Sequence, residues 1–503
     1  MSTRVRFSVL PWPSRNGTAK REPDRNGVAT MDVLHERCAG IDISKRDAKV
    51  CVRTPSPRRK GTFTNQTTTF GATTNAILDL REHLLDAGAT LVVMEATGDY
   101  WKPFYYLLAE ELNVILVNAR QVKNLPGRKT DVSDAAWLAQ LGSHGLVRAS
   151  FVPPPPVREL RDLTRARTQL TRERAQVVQR LEKLLEDAGI KLSAVVSDLM
   201  GVSGRAMLEA LSAGERDPHV LAELAKRRMR SKIPELGQAL TGRFRKHHAF
   251  LTRIYLDQYD QLSGSINLLT ARIEEAMAPF RRALELLDTI PGVNQAVAEV
   301  IVAETGAGMA RFPSARHLAS WAGLCPGHHE SAGRVKSTRV RPGNPYLKGA
   351  LGMAAFGAAR TKGSYLQARY KRLTARRGPM KALIAVEHSI ITAVWHMLSD
   401  GVPYHELGGS YFTQRDPERA ARRAVSRLNE LGYRVTLAPW RPPGEQTERN
   451  PAGKATTGPT VLPETPPTCS YLRVRVSQWC MEAAQMICAG HGSWGRTYIP
   501  LRR

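Results

Sequence analysis

The sequence predicts an α/β domain, followed by a helical coiled-coil region and a mostly α-helical C-terminal domain, with weakly patterned tails at both ends. Three observations carry this. Strand and helix patterns alternate over residues 37–150. A run of four prolines, 153–156, then precedes two apolar seams of heptad spacing. From 284 to 412 only helical spacing recurs.

Residues 1–36 are basic and lack an apolar core, which predicts a flexible tail. "CAGIDISKRDAKVCVRTP" (38–55) reads as two strands joined by a charged turn, and "GTFTNQTTTF" (61–70) as a third. Ile77, Leu80, Leu84 and Leu85 give 73–88 a helical stripe that stops at Gly88. "TLVVMEAT" (90–97) is a buried-type strand, 100–112 a helix, 113–122 a strand and 129–141 a helix.

In the 151–283 region, Leu163, Leu170, Val177 and Leu184 recur every seven residues. Tyr255, Tyr259, Leu262, Ile266, Leu269, Ile273 and Ala276 alternate spacings of four and three. Both seams fit either a coil between subunits or a helical bundle. The segment between them reads as helical without placeable elements. The C-terminal domain opens with helix, Pro-Gly turn, helix (286–306). Residues 413–503 begin with one basic helix and then turn proline-rich, which predicts little order from 441 onward.

The chain has 503 residues and a formal net charge of +27. Such a balance points to polyanions, nucleic acid first. Six scattered cysteines without a CxxC pair signal neither a disulfide framework nor a zinc module, and fit a reducing cytoplasm. The longest apolar stretch, 380–398, contains Lys381, Glu387, His388 and His396, and so reads as a packed helix and not as a membrane span.

Against this background the acids stand out. Asp42 lies in mid-strand between Ile41 and Ile43, where alternation turns it to the opposite face. Glu95 ends an apolar strand. Asp131 and Asp134 sit three apart in "KTDVSDA"; alone they would read as a helix N-cap and first-turn residue. Carboxylates on central strands are costly without a positive partner. Adjacent strands would set Asp42 beside Glu95, and a helix across the sheet would add the other two. Divalent cations relieve such crowding. Mg²⁺ suits hard oxygen ligands, and two ions about 3.5–4 Å apart clamp both oxygens of a phosphoryl transfer.

"GIDIS", "MEATG" and "KTDVSDA", in that order, resemble the RuvC-like (RNase H-like) domain of DEDD insertion-sequence transposases, the bridge-RNA-guided recombinases. "IPGVNQAVAEVIVAETG" and "FPSARHLASWAGLCPGHHESAGRVKSTRVRPGNPYLKGAL" are similar to that family's C-terminal domain. The resemblance covers roughly 37–410. It implies metal-binding carboxylates at Asp42, Glu95, Asp131 and Asp134, and a nucleophilic serine at Ser331, with Ser337 as the alternative. Ala332 stands where the family has glycine. DNA at element ends and target, a guide RNA, a homo-oligomer built through the coiled coil and a nucleoid-associated cytoplasmic location follow as expectations.

Residues 331–381 hold 13 Lys or Arg and no Asp or Glu. So one-sided a run predicts a phosphate surface, with Arg334, Lys336, Arg339, Arg341, Lys348, Lys362, Arg372, Arg376 and Arg377 as contacts. Tyr346, Tyr365 and Tyr370 are candidates for base stacking or for packing. Arginines of 157–189 are further candidates for nucleic-acid contact. Three readings follow: a transposase, a metal-dependent junction nuclease without serine chemistry, and a nucleic-acid-binding protein with a decayed site.

Overall fold

A computed structural model describes residues 32–439, apart from 60, 97, 120, 121, 123–132, 328, 338 and 341, together with 472–474. The expectations for residues 1–31 and for most of 441–503 therefore lie outside the described residues. The chain divides into two compact units. One comprises 1–289, 294–350 and 391–403, the other 290–293, 351–390 and 404–503.

The first unit opens with a five-stranded sheet: β1 (Cys38–Ile43), β2 (Asp47–Pro55), β3 (Phe63–Gly71), β4 (Leu91–Glu95) and β5 (Val114–Val117). Their order is β3-β2-β1-β4-β5. β1 runs antiparallel to β2 and parallel to β4. As the central strand it is covered on both faces. Ala39, Ile41 and Ile43 pack with Val92 and Met94 against α1 (Thr74–Asp86) and α2 (Trp101–Leu108), through Ile77, Leu80, Leu84, Phe104 and Leu108. Cys38, Leu91 and Val93 face α3 (Asp134–Ser143) through Leu138 and Leu141. Leu85, expected in the α1 stripe, is 41% exposed, because the buried arc closes at Leu84.

The two seams bury each other within one chain. α4 (Pro155–Asp187) and α9 (Lys246–Ala276) lie antiparallel. Asp187 at the end of α4 meets His248 at the start of α9, and Arg174 meets Ser263 and Tyr259 midway. On α4 the buried positions are Val157, Leu160, Thr164, Arg167, Val177, Leu181 and Leu185, so of the expected heptad only Val177 is buried. The intervening segment forms a small helical cap: α5 (Leu192–Val195), α6 (Val202–Ala213), α7 (Pro218–Glu223) and α8 (Ile233–Ala239). Leu192, Met207, Leu211, Leu221 and Leu236 build its core against Leu181, Leu185 and Leu256.

Beyond them come α10 (Arg281–Asp288), α11 (Gln295–Thr305), α12 (Ala315–Trp321), α13 (Pro345–Ala358), α14 (Tyr365–Arg377), α15 (Pro379–Asp400), α16 (Tyr411–Gln414) and α17 (Pro417–Glu430). The Pro-Gly turn between α10 and α11 is a packing device. A Cβ on Gly292, at φ +88°, would overlap the Ala354 and Ala358 backbone of α13. Asn294 accepts from Val297 N at 3.0 Å and caps α11 itself. α15 is long and apolar enough to cross a membrane by length and composition. Its stripe of Ala382, Val386, Ile390, Val394 and Met397 is buried in protein.

Three arginines of α4 turn inward. Glu304, fully buried on α11, takes two hydrogen bonds from Arg165 at 2.7 and 2.9 Å, an ion pair with Arg161 at 3.2 Å and one bond from Asn344 at 2.5 Å. Arg167 pairs with buried Glu299 at 2.6 Å. Arg158 lies over the Tyr106 ring, and Arg165 and Arg172 over Tyr346. Arg161, Arg165 and Arg167 are therefore internal ties, and the expected nucleic-acid role of α4 is corrected for these three.

Removing Glu304 strands two arginines in a largely dry site. Glu304→Ala is expected to cost about 3–5 kcal/mol of stability, read from denaturant titration. A loss below 1 kcal/mol would mean that water already screens the cluster.

Candidate metal centre and serine loop

Alternation along β1 places Gly40 and Asp42 on the α3 face, and along β4 does the same for Val93 and Glu95. The register pairs Ile41 with Met94. One step further, Asp42 and Glu95 stand on neighbouring strands at the same level, as the sequence predicted. Both are half-buried.

Gly40 decides how close the third carboxylate comes. A Cβ there would overlap the Ala135 carbonyl oxygen and the Ala139 nitrogen, and would meet Leu138 Cβ at 2.9 Å. α3 answers with small residues: Ala135, Ala136 and Ala139 pack with Cys51, and Gly142 lies against Val93 and Cys38. The helix therefore rests almost on the strand backbone. Its N-cap is Ser133, whose hydroxyl accepts from Ala136 N at 3.3 Å. Asp134 is the first helical residue. Asp131, expected as an N-cap or as a fourth ligand, lies outside the described residues.

Burial pushes the Asp42 carboxyl above its usual pKa, and the nearby charge of Asp134 pushes it further. Lys49, opposite Asp42 on β2, works against this. Burial and a like charge both oppose the ionised form, and a bound cation would offset them. The donor set of hard carboxylate oxygens fits a divalent metal.

Another acidic and imidazole group, Asp187, His247 and His248, has ligand atoms within 4.8 Å of one another. Its bonds are already committed. Arg245 N donates to His248 Nδ1 at 3.0 Å, so Nε2 carries the proton and donates to Asp187 Oδ2 at 3.0 Å. A metal on Nε2 would displace that proton and leave an imidazolate. The trio joins the ends of α4 and α9, and its hydrogen bond holds the Asp187 carboxyl below its usual range.

Ser331 sits on a separate hairpin, β6 (His329–Ser331) and β7 (Arg334–Ser337). Ala332 and Gly333 form its two-residue turn with φ of +51° and +73°, the type I′ pattern. Ala332 thus accepts a left-handed backbone, at about 1–2 kcal/mol, where glycine would accept it freely. Ser331 is exposed beside the turn, whereas Ser337 is half-buried and accepts from Arg339 N at 3.2 Å. The loop base is fastened. Pro326 bridges Val340, and Gly327 N donates to the Arg339 carbonyl at 3.1 Å. Asn344 caps α13 at Tyr346 and Leu347 while bonding Glu304.

Arg334, Lys336 and Arg339 are exposed on or beside this hairpin, and Lys362, Arg372, Arg376 and Arg377 are exposed in the other unit. Arg341 lies outside the described residues. Lys348 is half-buried and reaches the Gly323 carbonyl at 3.4 Å. Tyr346 lies beneath arginines, and Tyr365 stacks on Phe412 at 5.3 Å, so both are packing residues. The sequence reading missed the roles of Gly40 and Glu304. The small-residue run "DAAWLAQLGS" was the available signal for the first.

Residues 39–190 match a DEDD-type transposase family model named for IS110. Residues 284–371 match the transposase IS116/IS110/IS902 family. The chain is similar to a pilin gene-inverting protein of Moraxella lacunata, 26% identical over 374 residues, covering 73% of this chain and 96% of that one. It is also similar to a 42 kDa protein of insertion element IS900 from Mycobacterium paratuberculosis, 28% identical over 325 residues, 59% of this chain and 80% of that one. A 43.6 kDa protein of IS110 from Streptomyces coelicolor is 27% identical over 330 residues, 57% and 75%.

Gly40→Val is expected to push α3 off the sheet. It should cost about 1–3 kcal/mol and lower any metal-dependent cleavage about 100-fold by displacing Asp134. Unchanged activity in this variant would show that α3 does not position the site. A second expectation concerns charge. A carboxyl whose folded pKa is raised costs stability above that pKa, and the cost disappears as pH falls to the unfolded value. Asp42→Asn should therefore raise the melting temperature of metal-free protein at pH 7, by about 2–4 °C per kcal/mol relieved. Added Mg²⁺ should stabilise the parent and leave Asp42→Asn unmoved. Equal stabilisation of both proteins would place the cation elsewhere.

Proposed function

We propose that this chain is a transposase of the IS110/IS116 type, as its two matched segments suggest, and that it cuts and rejoins phosphodiesters at the ends of a mobile DNA segment and at its target, with Ser331 as nucleophile. The observation that carries the reading is the level placement of Asp42 and Glu95 on neighbouring β1 and β4, with α3 resting on Gly40 and the Asp134 charge, second to burial, raising the Asp42 pKa. Asp131 completes the quartet by its place in the motif. The metal is Mg²⁺, two ions held by these carboxylates, and when bound they supply positive charge that lets a phosphate approach and stabilises its developing negative charge.

The protein's own groups divide the remaining work. Ser331 Oγ forms a bond to phosphorus as one P–O bond of the strand breaks, and the hydroxyl proton passes to the departing oxygen. The DNA is then held as a phosphoserine. A hydroxyl of the second strand attacks the same phosphorus, and the serine leaves with a proton. Bonds broken and formed balance, so strands exchange without net hydrolysis. Exposed Arg334, Lys336 and Arg339 bind phosphates on either side of the reacting one. The type I′ turn keeps Ser331 outward, where a duplex can reach it. A guide RNA supplies target choice, and the chain works as a homo-oligomer, as the family resemblance implies.

Denatured complexes formed on labelled element-end DNA should show a covalent protein–DNA adduct that Ser331→Ala abolishes and Ser337→Ala retains. Adduct at full yield in Ser331→Ala would remove the serine assignment. Metal-dependent cleavage without any adduct would favour the junction nuclease. Asp42→Asn and Glu95→Gln should lower cleavage by at least about 100-fold and spare DNA binding. Copurifying RNA encoded beside the gene would support the guide, and light scattering reads the oligomer.

A further inference from the structure

Two arginine-rich helices in this chain behave in opposite ways. α4 turns Arg161, Arg165 and Arg167 onto buried glutamates. α17, "PERAARRAVSRLNE", carries Arg419, Arg422, Arg423 and Arg427, all exposed. No ion pair to any of these four is present among the described residues. Elsewhere even surface arginines find carboxylates, as Arg205 does with Asp260 and Arg253 with Asp257.

The four are not scattered. Arg419, Arg422, Arg423 and Ser426 follow i, i+3, i+4, i+7 spacing and line one open depression with Asp416. Arg427 extends the row, so the cations span about 12 Å of helix. Ala420, Ala421, Val425 and Leu428, on other faces, are only half-buried. The helix is anchored at its start. Asp416 caps it through Arg419 N at 3.1 Å, and Pro417 occupies the first turn. α16, immediately before it, packs Tyr411 and Phe412 on Tyr365 of α14, and Arg372 lies over Phe412 at 4.7 Å. Glu406 fixes the connection by accepting from Tyr365 N and Gly408 N.

We propose that α17 is a docking helix for the phosphate backbone of duplex DNA, sharing no residue with the catalytic site and lying outside the two family-matched segments, which end at residue 371. Rigid spacing of the cations favours a duplex, whose phosphates form a fixed lattice. The face carries no aromatic side chain, and single-stranded nucleic acid is gripped largely by stacking. Guanidinium groups give paired hydrogen bonds to phosphate oxygens. The helix adds affinity without reading bases. Binding here does not depend on the serine or on the carboxylates, so it stands or falls apart from the proposed chemistry.

The test uses the full-length chain, a fluorescent 30-bp duplex of arbitrary sequence and anisotropy from about 50 to 300 mM salt. The variant is Arg419→Gln, Arg422→Gln and Arg423→Gln together. Its slope of log affinity against log salt should be shallower by about 2.7, from three phosphate contacts at 0.9 each. Affinity near physiological salt should fall at least tenfold. Replacing the same three by lysine should restore the slope, which separates lost charge from lost folding. Arg253→Gln, an exposed arginine of α9 paired with Asp257, should bind like the parent. An unchanged slope in the glutamine variant overturns the proposal. So does a loss seen only with single-stranded RNA of equal length, or a loss of self-association with duplex binding intact.

Discussion

Contact between α3 and β1 through Gly40 is the constraint on which the rest of the candidate site depends. Two strands alone place Asp42 beside Glu95, but a third carboxylate requires a helix almost touching the sheet. Only a residue without a side chain permits that approach, and α3 meets it with alanines and a glycine. The same closeness sets like charges near one another. Burial and the Asp134 charge both oppose ionised Asp42, while Lys49 gives partial relief. The apolar packing beneath, Cys38, Val93, Leu138 and Leu141, holds the crowded groups together against their repulsion.

A similar economy governs the basic residues. A strongly positive chain invites the view that each arginine faces nucleic acid. In the first unit many do not. Glu304 gathers Arg161, Arg165 and Asn344, and Asn344 in turn caps the helix that follows the serine loop. The buried glutamate therefore ties the long helical hairpin to the loop's anchor. Such an ion cluster gains little net stability over apolar packing, but it has one geometry, which an apolar contact lacks. Exposed arginines without a buried glutamate partner lie on the β6–β7 hairpin, α14 and α17.

How far the sequence could be followed depended on the range of the interaction. Strand alternation is local, so β1 to β5, the facing of Asp42 and the termination of β4 at Glu95 were all legible. Helix spacing was legible too, although the buried arc of α4 is offset from the expected heptad. Its partner α9 approaches from a side that a single helix cannot announce. The partnership of the two seams in one chain, the internal use of the α4 arginines and the packing role of Gly292 required the folded chain.

The sequence by itself determined the strands and helices of the α/β domain and the acid-bearing motifs, because hydrophobic periodicity and turn chemistry act between residues near in the chain. Tertiary structure alone decided which small residue lets a helix meet a strand, which arginines are consumed by buried glutamates, and that Ser331 stands outward on a left-handed turn. Those outcomes depend on distances between segments tens to hundreds of residues apart, and no local pattern encodes a distance.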